Sequence, residues 1–218
     1  MISQKFTLIL YNLAAVVSVL CSKVPLYRDC FLGFFYKQCP YAIPYFPVKK
    51  NNETKDNFSK RCGNLRKLSN EDFQIFIQKN MKFFGAILQM NIPDKYHSLN
   101  MFYAWNYVQR FLSSIEQMKN TNLPISCCIV IEGFLSTCSH RLFEIYNRRF
   151  TELFILIKTI FLPQIKSIED DKSDTNQQAY HLLINFINKV DKVIDKQNRN
   201  VELCDFNISD KFFNDYFQ

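Results

Sequence analysis

Apolar residues recur at intervals of three and four along most of this chain, which is the spacing of one face of an α-helix. Polar segments with proline or glycine separate the apolar runs. Long stretches of Leu, Ile, Phe, Lys, Glu and Gln contain no helix breaker, which favours helices over sheets. The pattern predicts helices at residues 6–22, 27–37, 56–62, 70–90, 99–118, 124–146, 150–165 and 175–197.

Local signals define several ends of these helices. Ser69 is expected to cap the helix that follows it by accepting a hydrogen bond from the Asp72 amide. Gly63 is a plausible C-cap of the short helix before it. Pro163 is expected to kink or end the helix over residues 150–165, which is apolar nearly all round and is therefore predicted to be central.

The first predicted helix, residues 6–22, is interpreted as a buried helix. Antiparallel helices joined by short loops indicate a bundle or a HEAT-like stack. The length and the 48% hydrophobic content suit a single domain with a sizeable core. We therefore expect an all-α fold, a HEAT-like stack of antiparallel helices forming one helical domain over residues 1–218.

A proline-paced segment interrupts the helical pattern after Lys37. Pro40, Pro44 and Pro47 alternate with aromatic and aliphatic residues. The spacing predicts an extended strap that packs on the domain rather than a helix. With the polar residues that follow it, this strap and basic segment covers residues 37–68.

Positive charge is concentrated in the same part of the chain. The formal net charge is +7, and residues 37–67 contain eight basic side chains against two acidic ones. A dense positive segment beside an apolar scaffold attracts polyanions such as nucleic acid, an acidic protein surface or a phosphorylated small molecule. A solvated loop is the plain alternative.

Catalytic and metal-binding motifs are absent from the sequence. The four glycines stand too far apart to form a dinucleotide fingerprint or a P-loop. No nucleophile elbow, kinase signature or paired Cys-His motif is present, and the three histidines are isolated. We therefore expect neither an enzyme nor a metal site.

The eight cysteines allow two interpretations. Most lie within apolar runs and none form a Cys-x-x-Cys pair, so free buried thiols are the favoured interpretation. Residues 6–20 resemble a secretory signal, and three Asn-x-Ser/Thr sequons fit a secreted disulfide-containing protein cleaved after Cys21. No apolar run is long enough to span a membrane, because Lys158 splits the best later candidate, so no membrane insertion is expected.

Three ordered motifs resemble one known family. The strap YKQCPYAIPYFP (residues 36–47) is similar to the signature KKCPYxVPFFP of the Gle-one family of nuclear mRNA-export factors. AWNYV (residues 104–108) is similar to that family's Gly-Trp-x-Trp-Leu segment. A third set falls at the family's own spacing and comprises Phe134, Leu135, Cys138, Leu142, Tyr146, Phe150, Leu156, Ile157, Lys158 and Pro163. The resemblance covers residues 6–166 and does not extend into residues 173–218, which we interpret as divergent C-terminal helices.

This resemblance implies a helical domain at the cytoplasmic face of the nuclear pore complex, between nucleus and cytoplasm. Members of the family bind and stimulate a DEAD-box RNA helicase during mRNA export and assemble with nucleoporins. In that family inositol hexakisphosphate is clamped between the activator and the helicase. The resemblance thus implies a domain that activates the helicase ATPase and is not itself an enzyme.

The family's ligand positions are only partly kept. Lys37 matches the first lysine of the paired strap lysines, whereas Gln38 replaces the second and Phe34 replaces a basic residue one turn earlier. Lys60 matches a basic position in the next segment, and Arg61 beside it is the substitute if the alignment shifts by one. The candidate inositol phosphate ligands are therefore Lys37, Lys60 and Arg61.

Direct RNA binding by the segment 49–67 is the alternative function. Lysines and arginines that neutralise nucleic-acid phosphates release counterions, so such binding weakens steeply as salt rises. This alternative needs neither the helicase nor inositol hexakisphosphate.

Overall fold

The protein is described by a computed structural model that covers residues 2–44, 46, 50, 52–65, 67–92, 99–118, 125–164 and 174–197, without the side chains of residues 2–7, 174–176 and 195–197. Eight α-helices and no strand occur in these residues, which confirms the all-α prediction. The helices are α1 (Ile2–Lys23), α2 (Pro25–Gln38), α3 (Lys55–Arg61), α4 (Asn70–Gln89), α5 (Met101–Gln117), α6 (Ser126–Tyr146), α7 (Arg148–Leu156) and α8 (Asp174–Gln197).

The predicted capping signals at Ser69 and Gly63 act as expected. Ser69 Oγ accepts a hydrogen bond from the Asp72 amide at 3.1 Å and begins α4. Gly63, with φ of +91°, follows the end of α3 in the left-handed conformation that ends many helices. Pro25 lies in the first turn of α2, where its missing N–H costs nothing. The helix start expected at Pro124 lies outside the described residues.

Helix α6 is the centre of the domain. It packs most extensively on α4 and also contacts α5, α7 and α8. All nine residues from Cys127 to Leu135 are buried. The prediction that residues 150–165 form the central helix was wrong, because Ile155 and Leu156 are about half exposed. An apolar surface all round a helix does not reveal how many neighbours cover it.

Two glycines let α4 and α6 approach closely. A Cβ added at Gly85 would lie 2.6 Å from the carbonyl oxygen of Phe134, and one added at Gly133 would lie 2.9 Å from that of Gln78. The two backbones are therefore in direct contact. Beside this crossing the Gln78 side-chain amide donates to the buried Glu132 carboxylate at 2.7 Å, which satisfies a polar group in the core.

Helix α1 is buried on one face only. Ser18 Oγ donates to the Ile87 carbonyl at 3.1 Å and holds this face on α4. On the opposite face Ile9, Leu13 and Val16 are more than half exposed, so the interpretation of residues 6–22 as a buried helix holds for one face only. Among the described helices, none is sufficiently long and apolar to cross a lipid bilayer.

A π-helical stretch, Ile157–Phe161, continues α7 directly before Pro163. The Leu162 amide donates to the Ile157 carbonyl, five residues back. A proline cannot donate a helical hydrogen bond, and its ring crowds the carbonyl four residues earlier, which here belongs to Thr159. The structure thus shows a widened turn before Pro163 and helix through residues 162–164, so the helix does not end at Pro163; the chain beyond Gln164 lies outside the described residues.

The cysteines within the described part of the chain are free thiols. Six of these seven are buried and Cys30 is exposed; Cys204 lies outside the described residues. Burial raises the pKa of Cys21 to about 11 and that of Cys39 to about 12, which keeps both thiols protonated at neutral pH. The seven therefore confirm the interpretation of free thiols, and none of them supports the disulfide alternative.

Candidate functional site

The proline-paced strap is packed as predicted, but its first part is not extended. Pro40–Ala42 forms one turn of 3₁₀-helix, with the Ile43 amide donating to the Pro40 carbonyl at 3.0 Å. Proline favours this turn because its fixed φ suits the first helical position and its missing N–H is not needed there. Tyr41, Ala42 and Phe46 are all buried, so the strap is part of the domain core.

Helix α5 holds the strap with hydroxyl groups. Tyr107 donates to the Tyr41 carbonyl at 2.7 Å, and Ser114 donates to the Pro44 carbonyl at 2.9 Å. The two hydroxyl residues are seven positions apart and therefore lie on one face of the helix. Tyr107 is almost fully buried, and burial raises the pKa of its phenol well above the usual value, so it stays a donor.

Aromatic contacts extend this attachment in both directions. The Tyr36 and Tyr103 hydroxyls lie 2.6 Å apart and link the end of α2 to the start of α5. Phe46 packs edge-on against Phe111, with ring centroids 5.2 Å apart. Tyr36 and Phe46, near the two ends of the strap, thereby both contact α5.

Gly63 places α3 against the strap. A Cβ at this position would lie 2.6 Å from Pro40 Cδ and 3.0 Å from the Gln38 carbonyl oxygen. Lys60 lies in the last turn of α3, three residues before Gly63, and Lys37 lies in the last turn of α2, one residue before Gln38. This contact therefore places the ends of α2 and α3, which carry the two sequence-predicted lysines, next to each other.

The two lysines differ from the third candidate ligand. Lys37 and Lys60 are exposed, and neither forms an ion pair with another described residue. Arg61 is half-buried, and its Nη2 and Nε atoms donate to the two carboxylate oxygens of Glu53 at 2.6 and 2.9 Å. The Arg61 guanidinium also lies 5.5 Å from the centre of the Phe58 ring.

Glu53 was not singled out by the sequence. It lies in the loop before α3, where no helical spacing connects it to Arg61. Besides the guanidinium, the Lys50 backbone amide donates to Glu53 Oε2 at 3.1 Å. The hydrogen bond from Arg61 is the main cause that lowers the pKa of Glu53 to about 2.

We call the exposed lysines among the described residues of this region the basic surface; they are Lys37, Lys50, Lys55, Lys60 and Lys67. They surround the ends of α2 and α3 in the sequence, and Glu53 and Asp56 are the only acidic residues between the first and the last of them. No cluster of metal-ligating side chains occurs among the described residues. The chemistry that this surface offers is multivalent attraction of an anion.

The other two sequence motifs are structural. Ala104 and Val108 are buried in α5, and Phe134 and Cys138 are buried in α6. Trp105 stacks on Tyr146 at a centroid distance of 4.5 Å and joins α5 to the end of α6. These motifs build the scaffold that carries the strap.

The Glu53–Arg61 pair predicts a pH-dependent contribution to stability. The pKa of Glu53 is lower in the folded protein than its ordinary value of 4.5, so the pair stabilises the fold above that value and loses its effect as pH falls towards about 2. Glu53→Gln is expected to lower the denaturation midpoint slightly at pH 7, with a difference from wild type that shrinks below pH 4.5. Urea denaturation at several pH values measures this; a difference that grows on acidification contradicts it.

Comparison with known proteins gives consistent matches. The sequence matches the family described as GLE1-like protein over residues 10–158. It is 23% identical over 166 residues to the mRNA export factor GLE1 of Rattus norvegicus, covering 72% of this chain and 23% of the relative. It is 23% identical over 187 residues to the mRNA export factor Gle1 of Drosophila melanogaster, covering 81% of this chain and 26% of the relative. The chain thus spans about a quarter of the length of these relatives.

A solved structure shares the fold. A chain of the complex described as S. cerevisiae Dbp5 L327V C-terminal domain bound to Gle1 and IP6 matches with a TM-score of 0.67 and 13% identity, over 85% of this chain and 61% of that chain. A second such complex, with Gle1 H337R, matches with a TM-score of 0.63 and 14% identity. The family match covers more than half of the residues and includes the strap, the α5 motif and most of the third set. This protein therefore belongs to the GLE1-like family.

Proposed function

We propose that this protein is an mRNA-export factor that binds and stimulates a DEAD-box RNA helicase, with inositol hexakisphosphate bound at the basic surface as a bridge. It acts as an activator of the helicase ATPase rather than as an enzyme. Its site of action is the cytoplasmic face of the nuclear pore complex, with nucleoporins as neighbours. Family membership supports this, as do solved complexes of the same fold that hold Gle1, Dbp5 and IP6 together.

One observation of this chain carries the proposal. The contact of Gly63 with Pro40 and Gln38 places the ends of α2 and α3 together, and each end presents an exposed lysine without an ion-pair partner among the described residues. A single lysine contributes little in water, but several cations that face one dense anion bind it strongly. Lys37 and Lys60 are therefore the proposed central ligands.

The proposed site holds fewer cations than the family pattern. Gln38 and Phe34 stand at two positions where the resemblance implies basic side chains, and Phe34 is 65% exposed. The remaining exposed lysines of the basic surface, among them Lys50, Lys55 and Lys67, add charge around the proposed ligands. We therefore expect the bridge to be weaker and more sensitive to salt than a site with the full set.

The test is the steady-state ATPase of the organism's own export helicase with RNA, titrated with this protein with and without inositol hexakisphosphate. We expect stimulation that requires the ligand and is lost in a variant with Lys37→Glu and Lys60→Glu. The matched control is Lys189→Glu with Lys192→Glu, which reverses two exposed charges on α8. Stimulation indifferent to ligand and variant rejects the bridge, and no stimulation under any condition rejects the proposed function.

Direct RNA binding by the segment 49–67 is the second candidate, and the exposed lysines of that segment, Lys50, Lys55, Lys60 and Lys67, favour it. It predicts that the protein alone retains RNA in a helicase-free pulldown. Affinity should fall steeply with salt, in proportion to the number of phosphates contacted. Absence of RNA binding at low salt rejects this candidate.

A further inference from the structure

The Arg61 guanidinium is engaged by a carboxylate of its own chain. Its Nη2 and Nε donate to both oxygens of Glu53 at 2.6 and 2.9 Å, which is the bidentate arrangement that guanidinium groups also make with phosphate. Glu53 is held in turn by the Lys50 amide at 3.1 Å. Arg61 is next to Lys60 in the chain, is the last residue of α3 and lies two residues before Gly63, which contacts the strap.

We propose that Glu53 sets the anion affinity of the basic surface by competing with a polyphosphate for the guanidinium of Arg61. This inference rests on the anion binding in the proposed function. With Glu53 in place, a polyphosphate meets Lys37 and Lys60 while Arg61 is occupied. Without Glu53, Arg61 becomes a third cation for the anion.

The competition arises because the Glu53 carboxylate and a phosphate group would use the same N–H donors of Arg61. A guanidinium edge that donates two parallel hydrogen bonds to a carboxylate cannot donate them at once to a phosphate. The carboxylate also repels an anion that approaches the neighbouring Lys60, which adds to the competition. The pKa of Glu53 is about 2, so protonation does not relieve this competition near neutral pH.

The experiment is a double-mutant cycle measured by calorimetric titration of the full chain with inositol hexakisphosphate, using wild type, Glu53→Gln, Arg61→Gln and the double variant. Glu53→Gln is expected to bind roughly tenfold more tightly, because a repulsive charge is removed and a cation is released. Arg61→Gln alone is expected to weaken binding, because it leaves the negative charge of Glu53 without its positive partner near the anion. The gain from Glu53→Gln should be smaller when Arg61 is also replaced, since the charge effect remains but no guanidinium is released.

Asp56→Asn is the matched control, because it removes one negative charge from an exposed residue of the same segment. It should raise the affinity much less than Glu53→Gln does. A Glu53→Gln variant that binds no more tightly than wild type overturns the inference. So does a gain that persists in full in the Arg61→Gln background, since that result shows a charge effect without competition.

Circular dichroism and thermal denaturation establish that each variant is folded before its affinity is compared. The titration needs no helicase, so its result stands apart from the ATPase test. If the titration gives the expected pattern of affinities but the helicase is not stimulated, the proposed function is rejected and this inference stands. No measurable binding of inositol hexakisphosphate by any variant overturns it.

Discussion

Gly85→Ala is expected to destabilise the protein by about 2 kcal/mol, because an added methyl group forces α4 away from α6. Its Cβ would lie 2.6 Å from the Phe134 carbonyl oxygen and closer still to the Thr137 hydroxyl. The Phe134 carbonyl is a backbone group, so it cannot move away unless α4 and α6 separate. Both helices are buried around this crossing. Alanine favours the helix over glycine by about 1 kcal/mol, so the net loss is smaller than the cost of the contact alone.

The matched control is the same substitution at Gly33 in α2. A Cβ there meets nothing within 4 Å, so Gly33→Ala is expected to stabilise the protein by about 0.5–1 kcal/mol through helix propensity. Urea denaturation followed by circular dichroism measures both changes. Equal stabilisation by the two substitutions contradicts the inferred contact between the α4 and α6 backbones.

Gly63→Ala is expected to reduce both stability and the proposed anion binding. The φ of +91° is unfavourable for any residue with a side chain, and the new Cβ would lie 2.6 Å from Pro40 Cδ. Together these effects are expected to cost about 2–3 kcal/mol. Because relief requires α3 to move away from the strap, Lys60 separates from Lys37, and we expect inositol hexakisphosphate to bind roughly tenfold more weakly.

Denaturation and calorimetric titration measure the two effects separately. Lys67→Gly is the stability control, since Lys67 has a φ of 53° and glycine relieves the strain there. We expect this variant to unfold at slightly higher urea than wild type. A Gly63→Ala protein with unchanged anion affinity contradicts the role of Gly63 in bringing the two lysines together.

The resemblance and the structure contribute differently to the site. The sequence motifs identified Lys37, Lys60 and Arg61 as candidate ligands. In the structure Lys37 and Lys60 are exposed at the ends of α2 and α3, which meet at Gly63. It also shows that Arg61 is paired with Glu53, a residue that no motif or spacing had marked.

The sequence alone determined the features that depend on neighbouring residues. The helical class, the start of α4 at Ser69 and the end of α3 before Gly63 follow from periodicity and capping, which act over three or four positions. The family resemblance likewise follows from motifs that lie in order along the chain.

Only the tertiary structure decided which helix is central, which face of α1 is exposed and what Arg61 contacts. Residues 150–165 and the central part of α6 are both strongly apolar, and it is the packing of α6 against α4, with Gly85 and Gly133 at the crossing, that makes α6 the central helix. The pairing of Glu53 with Arg61 likewise depends on how a loop folds back on α3. Helix periodicity reports which face of a segment is apolar, whereas burial and ion pairing depend on the chain that comes to lie against it.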